Sequence, residues 1–207
     1  MLLSENPLRF AAMDVSRKTG NELFQSSGNN LPHRLSDFWK WAVSDLVSNA
    51  TRGILAEFIV ASAFGEVAGV RKEWDAYDLN LPDGTKIEVK STAYCQSWAQ
   101  KDYSKPEFSI KPSYGWDANT NLVSAESKRQ ADIYVFCLLS EKNRSSIDPM
   151  NFDQWEFFLL SARSLNEKFP FHKKIGLNSL LKLNPSRVTY GSLVEGIAEL
   201  AEQLKID

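Results

Sequence analysis

Residues Ala76-Tyr77-Asp78-Leu79-Asn80-Leu81-Pro82-Asp83-Gly84-Thr85-Lys86-Ile87-Glu88-Val89-Lys90 alternate apolar and polar types on both sides of a Pro-Asp-Gly bend, the pattern of a β-hairpin. Pro82 presets φ for the first inner position of a type I turn, Asp83 suits the second, and Gly84 takes the left-handed conformation that closes a three-residue loop with a bulge. Leu81 then faces Thr85. Counting outward pairs Asn80 with Lys86, Leu79 with Ile87, Asp78 with Glu88, Tyr77 with Val89 and Ala76 with Lys90. Tyr77, Leu79, Leu81, Ile87 and Val89 share one face of this hairpin, and Asp78, Asn80, Lys86, Glu88 and Lys90 share the other. A two-residue Asp-Gly turn would slip the pairing by one and set the apolar side chains of one strand beside the charges of the other, which burial forbids.

The register sets two carboxylates, Asp78 and Glu88, opposite each other with β-carbons roughly 5 Å apart, where like charges destabilise a sheet. A shared proton, a nearby cation or a hard divalent metal ion each offsets that repulsion, and the metal is the commonest biological solution. Lys90 lies two residues beyond Glu88 on the same face, within reach of an attacking water or a phosphate oxygen. Two carboxylates and a lysine without histidine suit phosphoryl chemistry better than acyl transfer. Thr92 and Gln96 continue that face if the strand runs on. An ordinary solvated sheet face with a cross-strand ion pair would use the same residue types. Asp75 is a rival to Asp78, but the same count places it on the opposite face, as a loop or capping residue.

Upstream, residues 53–65 contain one charge, Glu57, whose helical neighbours Ile54, Val60 and Ala61 are apolar. A carboxylate in so apolar a setting needs a partner. Glu57 therefore either joins a metal shell, directly or through water, or holds a nearby lysine or arginine. The spacing predicts a helix from about Thr51 to Phe64, preceded by one capped at Ser36 with the stripe Trp39, Ala42, Val43 and Leu46. Residues 1–32, rich in Ser, Asn and Gly, read as an arm laid over the domain, with room for a short helix.

Downstream, residues 96–121 mix Lys, Trp, Tyr, Ser and Pro around one strand, Glu107 to Lys111. Gln96, Lys101, Lys105 and Lys111 are its candidate nucleic-acid contacts, since lysines among aromatic residues suit a phosphate backbone and exposed bases. Lys173, Lys174, Lys182 and Arg187 form a second basic candidate. Ala131 to Leu139 is a nearly continuous apolar run, as expected of a central strand covered on both faces. Trp155 to Leu160 reads as its neighbour. Leu193, Ile197, Leu200 and Leu204 recur at helical spacing, with Glu195, Glu199 and Glu202 placed outwardly. Helices, consecutive strands and a last helix predict an α/β or α+β domain with a mixed central sheet over residues 33–207.

Together these residues resemble the PD-(D/E)XK, restriction-endonuclease-like superfamily of nucleases. The resemblance rests on Glu57 in Leu55-Ala56-Glu57-Phe58, Asp78 in Tyr77-Asp78-Leu79, and Ile87-Glu88-Val89-Lys90. It is close over about residues 51–96 and follows element order beyond them. Tyr77 stands where the pattern has proline, its least informative letter. Trp74-Asp75-Ala76-Tyr77-Asp78 and residues 129–136 are similar to uncharacterised stand-alone bacterial members. The resemblance implies a restriction-endonuclease-like core and a Mg²⁺ ion, replaceable by Mn²⁺, held by Asp78 and Glu88 with the Val89 carbonyl and with Glu57 as a further candidate. It also implies that Lys90 positions or activates the attacking water, and that the substrate is nucleic acid, with DNA preferred.

Length and composition bound these expectations. At 207 residues the chain suits one core, and its net charge of −2 requires any nucleic-acid contact to come from a local basic patch. Residues 53–65 are too short to cross a bilayer and no leader pattern opens the chain, so a cytoplasmic protein without membrane contact is expected. Cys95 and Cys137 have no zinc or disulfide spacing and read as reduced. His33 and His172 have no metal-ligand spacing. A homodimer that cuts two strands is compatible with this reading. The rival reading is a binding module on the same fold that engages nucleic acid or protein without cutting. A metal-free carboxylate-pair glycosidase is opposed by Lys90, since a cation lowers both carboxylate pKa values.

Overall fold

The computed structural model describes residues 10–72, 76–117 and 120–206. Trp74 and Asp75 of the sequence reading lie outside these residues, as does the start of the arm. The arm's described part carries a β-hairpin, β1 (Leu23–Ser26) and β2 (Asn29–Arg34), rather than a helix, and β2 runs directly into α1 (Leu35–Val43). Arg34, not Ser36, stands at the α1 N-cap, and the Asp37 carboxylate accepts from the Arg34 N–H at 2.8 Å. No α1 residue is buried, so its apolar stripe serves the arm, with the Trp39 ring laid against Gly20.

The remaining elements are α2 (Asn49–Ala63), β3 (Leu79–Asn80), β4 (Lys86–Ala93), β5 (Glu107–Ser109), β6 (Ser113–Asp117), β7 (Leu122–Lys128), β8 (Ile133–Leu139), β9 (Trp155–Ser161), α3 (Ala162–Lys168), β10 (Lys174–Gly176), α4 (Leu177–Leu181), β11 (Ser186–Val188) and α5 (Leu193–Ile206). Five strands form the central sheet in the order β11-β9-β8-β4-β3. β4 and β8 are parallel and the other neighbours antiparallel, so the expected α+β architecture with a mixed central sheet is what the chain adopts.

β8 is buried over all seven residues because both of its faces carry a layer. Ile133, Val135, Cys137 and Leu139 point into a core shared with Ala56, Ile59 and Val60 of α2 and with Leu193, Ile197 and Ala201 of α5. Tyr134, Phe136 and Leu138 point into a second core closed by Phe108 and Ile110, Ile175, and Leu165 and Leu180. The α5 helix approaches the sheet closely at Gly196, where a β-carbon would meet Val188 Cγ1 at 2.9 Å and Leu159 Cδ1 at 3.0 Å. Cys95 and Cys137 are both buried and free. Among the described residues no helix is long and apolar enough to cross a membrane.

Candidate active site

The hairpin turn forms as its residues require. Gly84 N–H donates to the Leu81 carbonyl and Leu81 N–H to that of Thr85, both at 2.9 Å, while Gly84 adopts φ +87° and Asp83 accepts from the Thr85 N–H at 3.0 Å. Strand pairing then runs Asn80 to Lys86 and Leu79 to Ile87, as the alternation predicts, and stops. Residues 76–78 are bends. The expected rungs Asp78 to Glu88, Tyr77 to Val89 and Ala76 to Lys90 are not made.

Asp78 leaves the sheet in a particular way. Its N–H donates to the Ile87 carbonyl at 3.0 Å, and its carboxylate accepts from the Val89 N–H at 2.7 Å, where a longer β3 would have offered a backbone carbonyl. The side chain thus takes the place of the missing rung. Tyr77, freed from the alternation, turns to the opposite core from the one expected, and its ring lies 5.3 Å from the Lys86 ammonium. The correction follows from where pairing ends, since period-two alternation holds only while the strand continues.

Asp78, Glu88 and Lys90 nevertheless meet. The Lys90 ammonium contacts Glu88 Oε1 and lies 3.9 Å from Asp78 Oδ2, so the two carboxylates face one another across it. Ile87 and Val89 drive the alternate positions of β4 into the α2 core, which leaves Glu88 and Lys90 on the face beside Tyr134 and Phe136 of β8. Each of the three charged side chains is only 19–27% exposed. Burial pushes the Asp78 carboxyl up to about 7, the Glu88 and Glu57 charges add to the rise, and Lys90 and the Val89 N–H oppose it. Positive charge is scarce here: one ammonium serves two acids, and burial favours the protonated form of Asp78.

Glu57 stands on α2 at the edge of this group. It accepts from Arg71 through both oxygens, from Nε at one and from Nη2 at 2.8 Å at the other, which is the second of the two roles open to it in sequence. Arg71 lies in the irregular segment after α2, where no periodicity marks it. Glu57, Arg71 and Asp78 line one cleft of about 330 Å³.

The other candidates separate by burial. Gln96 is buried: it accepts from Arg52 at 3.3 Å and donates to the Ala93 carbonyl and Ser104, which holds the loop after β4 rather than offering an amide to a ligand. Thr92 is buried and accepts from the Glu107 N–H. Lys101, Lys105 and Lys111 are exposed. Lys105 borders a groove of about 560 Å³ with Tyr94, Tyr103 and Lys142, whose ammonium lies 4.4 Å from the Tyr94 ring centroid. In the second basic candidate, Lys174 pairs with Glu107 at 2.7 Å and Arg187 with Glu156 at 2.9 Å.

The model of the bacteriophage T4 endonuclease IV family matches residues 31–173, well over half of the chain and the whole of this site. The chain belongs to that family. Membership of an endonuclease IV family makes it a nuclease and nucleic acid its substrate, and the matched span runs from the arm's β2 through the hairpin, β8 and β9. No curated protein and no solved structure matches the chain.

The donor set bears on a metal. Among the described residues no three His, Cys, Asp or Glu side chains converge, so those residues offer two carboxylates rather than a full cage. Backbone alternation adds the Val89 carbonyl. The Lys86 carbonyl accepts from the Asp132 N–H ahead of β8, so that of Val89, like its N–H, points to the Asp78 side. Two acids and a carbonyl, all oxygen and short of positive charge, fit a hard ion such as Mg²⁺, which keeps several waters and seldom takes an all-protein shell.

Proposed function

We propose that this chain is a Mg²⁺-dependent DNA endonuclease of the PD-(D/E)XK type, cutting phosphodiester bonds at Asp78, Glu88 and Lys90. The observation that carries the reading is the single Lys90 ammonium shared by two half-buried facing carboxylates on the strand edge. Asp78 and Glu88 would hold the ion with the Val89 carbonyl, with Mn²⁺ able to replace it, and Glu57 would act from α2 by keeping Arg71 and its own negative charge beside Asp78. Bound there, the ion would lower the pKa of water and neutralise charge gathering on the phosphoryl oxygens.

The chain's own groups supply position. Glu88 pins the Lys90 ammonium on the open face, where it can orient a water or hold a phosphate oxygen, an arrangement most effective in a site partly shielded from solvent. The Val89 N–H fixes Asp78, so both acids are preset. Lys101, Lys105 and Lys111 lie exposed after β4 and are available to the polyanion outside the reacting centre.

Cleavage of plasmid and linear DNA should require Mg²⁺ or Mn²⁺ and stop in EDTA. Divalent-ion affinity, read by calorimetry with Mn²⁺, should also depend on pH. Below about 7 the ion competes with the Asp78 proton, so apparent affinity should fall by about tenfold per pH unit, and above it should level off. Cleavage in EDTA, or an affinity flat from pH 5.5 to 8, would overturn the metal assignment.

A further inference from the structure

From Ile54 to Ala61 the α2 helix carries apolar side chains on more than its core face, with Glu57 the one charge. Ala56, Ile59 and Val60 do enter the core, but Ile54 is 46% and Phe58 51% exposed. These two residues, one helical turn apart, form a second apolar strip, and it lines the cleft of about 330 Å³ that Asp78 also lines. Val67 and Val70 line it as well, and the Arg17 guanidinium of the arm fastens their segment by donating to the Val67 and Ala68 carbonyls at 2.8 and 3.0 Å.

Asn80 borders the same cleft, two residues beyond Asp78 on β3, the edge strand of the sheet. Its backbone pairs with Lys86, and the residue is exposed. A primary amide presents a donor and an acceptor side by side, the pairing that reads the edge of a heterocycle.

The reaction's own geometry identifies the occupant. A phosphodiester held at Asp78 has a base attached to each flanking sugar, and the apolar cleft opens beside it. The walls carry Glu57, Glu66 and Asp78 against Arg71 and Lys72, with Arg71 engaged by Glu57, so a phosphate inside gains little, whereas a neutral planar ring meets the apolar surface of Ile54 and Phe58. The volume lies within the roughly 300–1,000 Å³ typical of small-ligand pockets.

Resting on the nuclease reading above, we infer that this cleft receives the unstacked base of a nucleotide flanking the cut, with Phe58 as its stacking surface and Asn80 as the reader of its edge. Phe58→Ala, Phe58→Tyr, Asn80→Ala and, as a remote control, Lys205→Ala test this with two readouts. Sequencing the ends produced from random DNA should show a base preference beside the cut in the wild type, flattened about fivefold or more in Asn80→Ala. Phe58→Ala should raise KM about tenfold, the scale of one base stacked on an aromatic ring, with kcat little changed and Phe58→Tyr close to wild type. Binding of a random-sequence single-stranded 12-mer, measured by anisotropy in the Lys90→Ala background, should weaken about tenfold with Phe58→Ala and not with Lys205→Ala.

Ends of unbiased composition, or a KM and a 12-mer affinity unchanged in Phe58→Ala, would overturn the cleft's assignment while leaving the nuclease reading intact. A wild type that fails to cut with either metal would remove the nuclease reading instead. The 12-mer affinities would then still decide for or against the cleft.

Discussion

Glu88→Ala is expected to slow DNA cleavage about a thousandfold and to weaken divalent-ion binding, whereas Lys90→Ala should slow cleavage to a similar degree and leave ion binding intact or stronger. The difference comes from what each side chain does in the site. Glu88 is one of two carboxylates facing the ammonium and also the acid that contacts it, so its loss removes a donor and releases Lys90. Removing Lys90 instead leaves Asp78 and Glu88 facing one another without a counter-charge, which strengthens their demand for a cation while removing the group that orients water or phosphate. Steady-state cleavage of a labelled duplex, paired with a Mn²⁺ titration of each variant, separates the two roles. Variants that cut as fast as the wild type would end the assignment of the centre.

Asp78→Asn should be inactive yet more stable than the wild type at pH 8, by about 2 to 4 kcal/mol in the absence of metal. The folded-state pKa lies near 7 and the ordinary carboxyl value is 3.8, so the folded protein holds a proton that the unfolded chain releases anywhere between those values. Stability associated with this group is fully present below about pH 4, is lost as pH rises, and is gone above about 7. An asparagine carries no charge to desolvate and its side-chain oxygen can still accept from the Val89 N–H. The gain over the wild type should therefore be small at pH 4.5 and full at pH 8 in urea unfolding measured in EDTA. Parallel stability profiles for the two proteins would show that Asp78 is not strained toward its neutral form.

The parts of this structure that were legible in sequence are those where burial imposes a period. Residues 133–139 alternate between two cores and read as a central strand, β9 follows the same logic, and α2 and α5 announce themselves by spacing. The turn at Pro82-Asp83-Gly84 fixed the first two rungs because each of its residues has one conformational use. Where no face is buried there is no period to read. The arm's hairpin has every strand residue exposed, and the β6–β7 ribbon, with Tyr114, Leu122 and Val123 open to solvent, is nearly as bare, so neither was visible. β10 and β11 are too short, at three residues each, to show alternation. Asp78 and Glu88 both lie beside Lys90, but not through the rung that the alternation predicts. The Val89 amide and the Lys90 ammonium do that work instead. The need of Glu57 for a partner was legible, while Arg71 as that partner depends on the path of an irregular segment.

The suspension of the Asp78 carboxylate from one main-chain N–H sets the centre half on a strand and half on the bends ahead of β3. Glu88 and Lys90 ride on a strand locked against β8 and cannot drift without dismantling the sheet. Their acidic counterpart hangs at the margin, on the same stretch of chain that walls the apolar cleft. Descendants of such a protein could therefore rewrite the cleft's rim residue by residue while Glu88 and Lys90 keep their places on the sheet.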